Sequence, residues 1–327
     1  MKVSVIIPVF KVAKFVERCT RSLMEQTLKE VEFIFVDDAS PDESVDIIRR
    51  VTTEYNRDVK FLKHEVNKGL PSGRNTGLKV AQGEYIFHCD SDDWVEKDML
   101  ELMYNTAKEH NADIAYCDFY MSFEKSERYM GNPTFDSAEK MLKEGFLAGT
   151  MKYNVWNKVA KRSLYIENSI TFPDGHSMGE DMTMIPLAAV ANRVCHIPKA
   201  LYHYIKTNPS AYSQTLSQRY LDDIQYNVAG IEKSLEEISK NREIKELYKY
   251  MGFFKLNIKL PFLLSQDKAQ LKLWEEWYPE ANRYIAENKF LPFRTRFVQQ
   301  LAARKQFWAV KFYSFAVNNL FYKLLYR

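Results

Sequence analysis

The sequence predicts an α/β protein built on a mostly parallel sheet that helices cover on both faces. Two observations predict this fold. Strand-like apolar runs alternate with amphipathic segments as far as residue 117. The runs are also almost continuously apolar, as in strands that are buried on both faces. In sheets of this kind, ligands bind at the carboxyl ends of the strands.

The alternation resolves into five predicted strands and four predicted helices in the first part of the chain. The strands are 3–9, 32–36, 59–64, 85–89 and 113–117, and the helices are 14–26, 43–54, 76–81 and 100–110. The pattern weakens between residues 122 and 205 and becomes helical from residue 218, with long helices at 220–239 and 245–264. We therefore predict a soft domain boundary near residue 210, followed by a helical C-terminal region.

Composition narrows the class of protein. A net charge of +3 is too small to indicate a nucleic-acid partner. The four cysteines have no metal-binding or CxxC spacing, so we expect them to be reduced. The chain shows no secretion signal and no run of 18 apolar residues. We therefore expect a cytoplasmic location and no membrane-spanning helix.

Three carboxylates follow the fourth predicted strand: Asp90, Asp92 and Asp93. Like charges at the end of a buried strand repel one another and resist burial. A divalent cation would relieve this cost, and carboxylate oxygens suit Mg²⁺ or Mn²⁺. The alternative is that Asp92 or Asp93 caps the following helix.

A second acidic turn, with Asp37 and Asp38, follows the second predicted strand. Because the carboxyl ends of parallel strands meet at one edge of a sheet, both turns are expected at the same crevice. Two acidic sites at one crevice favour a functional role over chance.

With these motifs in order, the chain resembles glycosyltransferase family 2, the inverting transferases with the A-type, Rossmann-like glycosyltransferase fold. The resemblance covers roughly residues 1–205 and is carried by segments that appear in the family's order. They are Val3–Phe10, Ser22-Leu23-x-x-Gln26-Thr27, Asp37-Asp38-x-Ser40-x-Asp42, Asn67-x-Gly69, Arg74-Asn75-x-Gly77-Leu78, Gly83–Ile86, Asp90-Ser91-Asp92-Asp93-Trp94, Trp156-Asn157-Lys158 and Gly179-Glu180-Asp181.

The resemblance implies transfer of a sugar from a nucleoside-diphosphate sugar, with a UDP-sugar expected, to a hydroxyl of a glycan or lipid-linked acceptor of the bacterial surface. Residues 1–210 would form the nucleotide-sugar-binding domain, and residues 211–327 a region for membrane-surface or oligomer contact. The Gln-x-x-Arg-Trp signature of processive synthases is absent. We therefore expect one sugar per event.

The resemblance also implies a donor site. Asp92 and Asp90 would hold Mn²⁺ or Mg²⁺, which would stabilise the charge of the leaving diphosphate. The other residues expected at the donor are Pro8, Val9 and Phe10 on the base, Asp38 on the base or ribose, Ser91 within the metal motif, and Lys68 and Arg74 at the rim. A salt bridge from Arg74 to Asp37 or Asp38 is the alternative for that arginine.

On the acceptor side, the resemblance makes Asp181 the expected general base, because inverting transfer needs a carboxylate opposite the leaving group. Glu180 is the lesser candidate. Capping of a helix at 182–191 is the alternative for either carboxylate. Trp156 is expected to line the acceptor or sugar pocket, with a place in the core as the alternative. Lys206 lies near a position where the family usually carries arginine, and is a candidate phosphate contact.

Two other functions are less consistent with the sequence. A sugar-nucleotide nucleotidyltransferase needs a glycine-rich basic loop after the first strand, and residues 10–14 contain no glycine. An inactive nucleotide-binding scaffold is disfavoured because all the expected carboxylates are present.

Residues 296–327 are rich in aromatic and basic side chains and contain no acidic residue. On one continuous helix, Arg304 and Lys311 would lie on the same side and leave a wide apolar face. This pattern is typical of an interfacial anchor on an anionic membrane. The alternative is that the apolar face packs as ordinary core.

Overall fold

The computed structural model describes residues 1–176, 179–206, 217–264 and 267–316. Within these residues, nine strands form a single mixed sheet: β1 Val3–Val9, β2 Val31–Asp37, β3 Asp58–Lys63, β4 Tyr85–His88, β5 Trp94–Val95, β6 Ile114–Ser122, β7 Glu127–Met130, β8 Lys158–Lys161 and β9 Val194–Ile205. Their order across the sheet is β3-β2-β1-β4-β8-β6-β9-β5, and β7 pairs with β6. Helices flank the sheet and continue beyond it towards the C-terminus. The predicted fold class, an A-type sheet with a helical C-terminal extension, is confirmed.

The first four strands are parallel, as the sequence predicts, and β1 lies between β2 and β4. The register places the end of β1 beside the end of β2, with Val9 opposite Asp37. The elements of this part are β1 Val3–Val9, α1 Val16–Met24, β2 Val31–Asp37, α2 Ser44–Thr52, β3 Asp58–Lys63, α3 Leu70–Val80, β4 Tyr85–His88, β5 Trp94–Val95 and α4 Met99–Glu109.

The sheet continues from β4 through antiparallel pairing with β8, which in turn pairs with β6. β9 runs parallel to β6 and its end pairs with β5, with Trp94 opposite His203. This pairing brings the end of β9 beside the acidic turn that follows β4. These elements are β6 Ile114–Ser122, β7 Glu127–Met130, α5 Ala138–Lys140, a π-helix Met141–Leu147, β8 Lys158–Lys161, α6 Arg162–Glu167, α7 Glu180–Val190 and β9 Val194–Ile205.

Helix α3 corrects one prediction. The sequence predicts a helix at 76–81, preceded by a loop at 67–75, but α3 begins at Leu70, so Arg74 lies within it. Gly69 takes a φ of +88°, which glycine adopts without strain, and Pro71 fits the first turn. At Gly77, an added Cβ would lie 2.4 Å from Ile6 Cγ2, so only glycine permits α3 to approach β1 this closely.

The remaining helices are α8 Gln218–Ser239, α9 Leu247–Leu264, α10 Lys268–Glu276, a 3₁₀ helix Pro279–Tyr284, α11 Phe293–Ala303 and α12 Phe307–Ala316. The chain divides into two compact units, one of residues 1–141 and 153–242 and one of residues 142–152 and 243–327. Helix α8 therefore belongs to the first unit, although it follows the predicted boundary at 210. None of the described helices is both long and apolar enough to cross a membrane.

Candidate active site

The acidic turn after β4 is fastened to the end of β9 by Asp93, which is only 1% exposed. Its carboxylate accepts the Tyr202 hydroxyl at 2.7 Å and the Ile205 backbone N–H at 2.7 Å. Helix α4 begins after Asp98 and receives no side-chain cap. The alternative in which Asp92 or Asp93 caps this helix is therefore wrong.

Arg74 joins the acidic turn to helix α7. Its Nη2 lies 2.8 Å from Asp90 Oδ1 and 2.8 Å from Glu180 Oε1, and the arginine is 1% exposed. The alternative salt bridge to Asp37 or Asp38 is wrong, because α3 carries this side chain towards the end of β4. The side chains of Asp90 and Glu180 are 22% and 26% exposed, so solvent still reaches both carboxylates.

Burial and mutual repulsion perturb the carboxylates at this edge of the sheet. Burial raises the pKa of Asp93 well above its usual range, and the neighbouring Asp92 and Asp90 charges add to that rise. Burial also raises the pKa of Glu180, although the Arg74 charge opposes the rise. A bound cation would relieve the repulsion among these carboxylates.

The residues present fit a divalent cation on two grounds: hard carboxylate oxygens, and the mutual charge of Asp90, Asp92 and Asp93. In the described parts of the chain, no preformed group of three or more His, Cys, Asp or Glu side chains could hold a metal ion. Mg²⁺ sites commonly combine one or two carboxylates with substrate phosphates and water.

Asp181 lies in the first turn of α7 and is 8% exposed. Its Oδ1 accepts the Met182 N–H at 2.9 Å, and Asn227 Nδ2 of α8 lies 3.5 Å from the same atom. Burial raises the pKa of Asp181 to about 7. A carboxyl group with this pKa is suited to proton transfer near neutral pH. The N-cap position of α7 is Gly179 and no side chain caps the helix, so the alternative in which Glu180 or Asp181 caps it is wrong.

Three side chains near Asp181 were not singled out by the sequence. Asn227 contacts it from α8, and the Asp181 charge, after burial, contributes to the raised pKa of both Tyr153 and Tyr220. These residues come from distant positions in the chain and belong to no motif, so only the tertiary packing around α7 reveals them.

Lys158 is a further buried group that the sequence did not identify as functional. It is 2% exposed, and its Nζ donates to Asn154 O at 2.6 Å and Asn157 Oδ1 at 2.8 Å. Burial lowers the pKa of Lys158 to about 7, and the Glu180 charge opposes this change. The Trp156-Asn157-Lys158 motif was the available signal.

Asp38 lies at the second acidic turn and is 3% exposed. Its carboxylate accepts the backbone N–H groups of Lys68 and Gly69, each at 2.8 Å, and lies 2.7 Å from His64 Nδ1. Asp38 thus shapes the segment that leads into α3. Near it, Phe10 and the Lys68 side chain are exposed at the carboxyl edge of the sheet, where the sequence predicts the donor base.

Trp156 is 5% exposed and stacks on Tyr202 and Tyr204, with ring centroids 4.5 and 5.3 Å apart. It is therefore a core residue in large part, and its role in a pocket stays a prediction. Lys206 is exposed, and its Nζ lies 4.8 Å from the centroid of the Tyr204 ring. Burial raises the pKa of Tyr204 to about 12, and the charges of Asp93 and Asp90 in the acidic turn add to this rise.

Comparison with known proteins shows the family to which this chain belongs. The family model "Glycosyl transferase family 2" matches residues 4–178, more than half of the chain. The chain belongs to glycosyltransferase family 2. The match covers the sheet edge with both acidic turns, and the Glu180-Asp181 pair follows it by two residues.

The relatives of this family 2 glycosyltransferase include bacterial enzymes. "Putative glycosyltransferase EpsH" of Bacillus subtilis is 28% identical over 77% of this chain and 73% of that protein. "Poly(ribitol-phosphate) beta-glucosyltransferase" of Bacillus spizizenii is 35% identical over 55% of this chain, but over only 28% of its own length. Relatives of this kind bear out the prediction that the chain is a glycosyltransferase.

The solved structure of TarS residues 1–349 from S. aureus with UDP-GlcNAc superimposes with a TM-score of 0.69, at 22% identity, over 97% of this chain and 92% of that one. A mannosyltransferase from Pyrobaculum calidifontis, solved with GDP-Man and Mn²⁺, superimposes with a TM-score of 0.51 at 15% identity, over 94% of this chain and 87% of that one. These likenesses confirm the fold of this glycosyltransferase.

Proposed function

We propose that the protein is an inverting, non-processive glycosyltransferase that moves a hexosyl or N-acetylhexosaminyl group from a nucleoside-diphosphate sugar to a hydroxyl of a glycan or lipid-linked acceptor. The observation that carries the proposal is the bridge from Asp90 through Arg74 to Glu180. It holds the acidic turn, where the donor diphosphate would bind, next to the first turn of α7, which carries Asp181.

In the proposed reaction, Asp181 accepts the proton of the acceptor hydroxyl as its oxygen attacks the anomeric carbon of the donor. The bond from that carbon to the diphosphate breaks on the opposite face, and configuration inverts. The pKa of about 7 permits Asp181 to take this proton at neutral pH. Glu180 is assigned to Arg74 and not to proton transfer.

Asp90 and Asp92 are the residues that would hold Mn²⁺ or Mg²⁺ together with the donor diphosphate. When bound, the ion would neutralise the charge that develops on the leaving diphosphate. The Mn²⁺ in the P. calidifontis mannosyltransferase structure supports this assignment by likeness of fold. Arg74, with two carboxylate partners, would hold Asp90 in place.

A UDP-sugar is the proposed donor and a bacterial surface glycan the proposed acceptor class. TarS was solved with UDP-GlcNAc, and the B. spizizenii relative is named for a poly(ribitol-phosphate) substrate. For the donor contacts, we retain Pro8, Val9 and Phe10 on the base, Asp38, Lys68 and Ser91 nearby, and Lys206 towards the phosphates. Trp156 is retained at the wall of the sugar pocket.

We place the reaction in the cytoplasm at the inner face of the membrane. The four cysteines are all free and buried, which fits a reducing compartment. Neither a nucleic-acid partner nor a particular oligomeric state is part of the proposal.

A thermal-shift screen with UDP, GDP and dTDP, each with and without Mn²⁺, tests the donor site. We expect one nucleotide to raise the melting temperature of the wild-type protein only when Mn²⁺ is present, because binding to the folded state stabilises it. Asp92→Ala should lose this metal-dependent shift and remain folded. Asp222→Ala, at an exposed carboxylate of α8, is the control and should keep it. A shift that is unchanged in EDTA would contradict the metal assignment.

A further inference from the structure

An exposed stripe of aromatic and polar residues runs along one face of helix α11. Its members follow at helical spacing of four, three and four residues: Phe293, Phe297, Gln300 and Arg304. Phe293 is 74% exposed and Phe297 39% exposed. The opposite face of α11 is buried through Val298 and Ala302. The helix is therefore packed on one side, and its aromatic side faces solvent.

Helix α12 extends this surface. Trp308 and Phe312 lie one helical turn apart and are 74% and 69% exposed, with the exposed Lys311 beside them. Phe297 of α11 contacts Tyr313 of α12, with ring centroids 6.0 Å apart. The two helices meet at this contact, and each carries two exposed aromatic side chains. We call Phe293, Phe297, Trp308 and Phe312 together the aromatic face.

The membrane anchor predicted from the sequence assumed one continuous helix, but the structure has two. Lys305 takes a φ of +59° between α11 and α12, so Arg304 and Lys311 lie on different helices. The alternative, in which the apolar side chains of residues 296–327 pack as core, holds for some of them: Val310 is 1% exposed. Residues 317–327, which the prediction included, lie outside the described residues.

The exposed charges that α11, α12 and their junction carry are basic. Arg294, Arg304 and Lys311 are exposed on α11 and α12, and the sequence contains no Asp or Glu after Glu287. Lys305, between the two helices, pairs with Glu275 of α10 at 2.6 Å, so its charge is partly neutralised. A shallow groove of about 210 Å³ lies between the 3₁₀ helix and the end of α11, and its lining includes Arg283 and Arg304.

We propose that the aromatic face is a docking surface for an anionic phospholipid bilayer, with lipid phosphates seated near Arg283 and Arg304. Exposed tryptophan and phenylalanine enter the boundary between headgroups and acyl chains, while arginine and lysine attract anionic lipid. A second copy of this chain is a poorer occupant, because a self-complementary interface would bring these basic residues close to their own copies.

Vesicle co-sedimentation of the full chain tests the proposal. We expect the protein to sediment with phosphatidylcholine vesicles that contain phosphatidylglycerol at low salt, and to remain in solution with phosphatidylcholine alone or at high salt. Trp308→Ser with Phe312→Ser should lower the partition coefficient roughly tenfold or more, through loss of buried apolar area. Arg283→Gln with Arg304→Gln should lower it roughly fivefold for each charge removed.

Two matched variants serve as controls. Tyr248→Ser removes an aromatic side chain that is 68% exposed on α9, outside the aromatic face. Lys29→Gln with Lys97→Gln removes two exposed charges from the first unit. Both should bind vesicles as the wild type does. No donor sugar is needed for this assay, so its outcome is independent of the proposed transferase reaction.

Three results would overturn the proposal. The first is a wild-type protein that stays in the supernatant with anionic vesicles at low salt. The second is equal sedimentation of the aromatic-face variants and their controls. The third is concentration-dependent self-association in ultracentrifugation that Phe312→Ser abolishes, since a second copy would then occupy the face. The charge-only variant keeps the test valid if the aromatic variant fails to fold.

Discussion

At the scale of single residues, two adjacent carboxylates of α7 have different surroundings. Glu180 is held by Arg74 at 2.8 Å, whereas Asp181 is buried without an ion pair among the described contacts. Burial without a cationic partner raises the pKa of a carboxyl group. The two residues are therefore suited to different tasks, and proton transfer falls to Asp181.

Asp181→Asn tests that division of roles. Asparagine is nearly the same shape but cannot accept the proton, so we expect kcat to fall by roughly 10²–10⁴ with little change in donor affinity. Steady-state kinetics and nucleotide titration measure the two quantities. Asp222→Asn on the exposed side of α8 is the matched control and should keep wild-type kcat. A near-normal kcat for Asp181→Asn would assign the base to another group.

The pH dependence of the rate provides a second test at Asp181. The base acts when deprotonated, so kcat/KM should rise with pH and be half-maximal near the group's pKa of about 7. Lys158 also has a pKa of about 7 but loses its positive charge as pH rises. A Lys158→Met variant should still show kcat/KM rising with pH around 7. If this rise disappears in the variant, the titrating group is Lys158 and not Asp181.

Stability should respond to the same titration. The pKa of Asp181 is raised in the folded state above its usual value of 3.8, so folding favours the protonated form. Its contribution to stability is present at low pH and is lost as pH rises from about 4 through about 7. The melting temperature of Asp181→Asn minus that of the wild type should therefore increase as the pH rises from acidic to neutral. A constant difference across that range would mean that the carboxyl group is not buried.

At the scale of secondary-structure elements, Arg74 ties three of them together at one point: α3, the turn after β4 and the start of α7. Each partner supplies a carboxylate that is mostly buried. The salt bridges therefore matter less as a source of stability than as a fixed spacing between the acidic turn and Asp181. Only an arginine with two geometrically separate partners provides this spacing.

Replacement of Arg74 by methionine should be costly, because it leaves two mostly buried carboxylates without a cation. We expect a loss of about 3–5 kcal/mol of stability, or roughly 6–20 °C in melting temperature, measured by calorimetry. Adding Glu180→Gln to this variant should recover part of the loss. Arg50→Met, which breaks an exposed pair with Glu17, is the control and should cost less than about 1 kcal/mol. Equal losses for the two arginines would refute the bridging role.

At the scale of the whole molecule, every predicted site residue falls in the first compact unit, and the aromatic face belongs to the second. Chemistry and surface attachment are thus assigned to separate units. Because the signature of processive synthases is absent, we expect one sugar to be added per acceptor. Mass spectrometry of acceptor products under excess donor checks this, and a ladder of products at low conversion would contradict it.

The sequence determined the fold class, and it identified the candidate site that is proposed above. Buried strands such as β1 and β2 are readable because residues enclosed on both faces must be apolar along their whole length. The carboxylates of Asp90 and Asp92 stood out because charge at the end of such strands is costly without a function. The strands and these carboxylates could be identified from the local sequence alone. The alternation of strands with helices then predicted that the first four strands are parallel.

Tertiary structure alone decided which groups meet. Arg74 was assigned to a loop because the start of α3 depends on the φ of Gly69, and its partners Asp90 and Glu180 are far from it in sequence. The raised pKa of Asp181 arises from burial, which no motif encodes. The break at Lys305 likewise separates two basic residues that one helix would have aligned. Pattern in the chain identifies candidate residues, but burial and pairing depend on contacts between distant segments, and these set their chemistry.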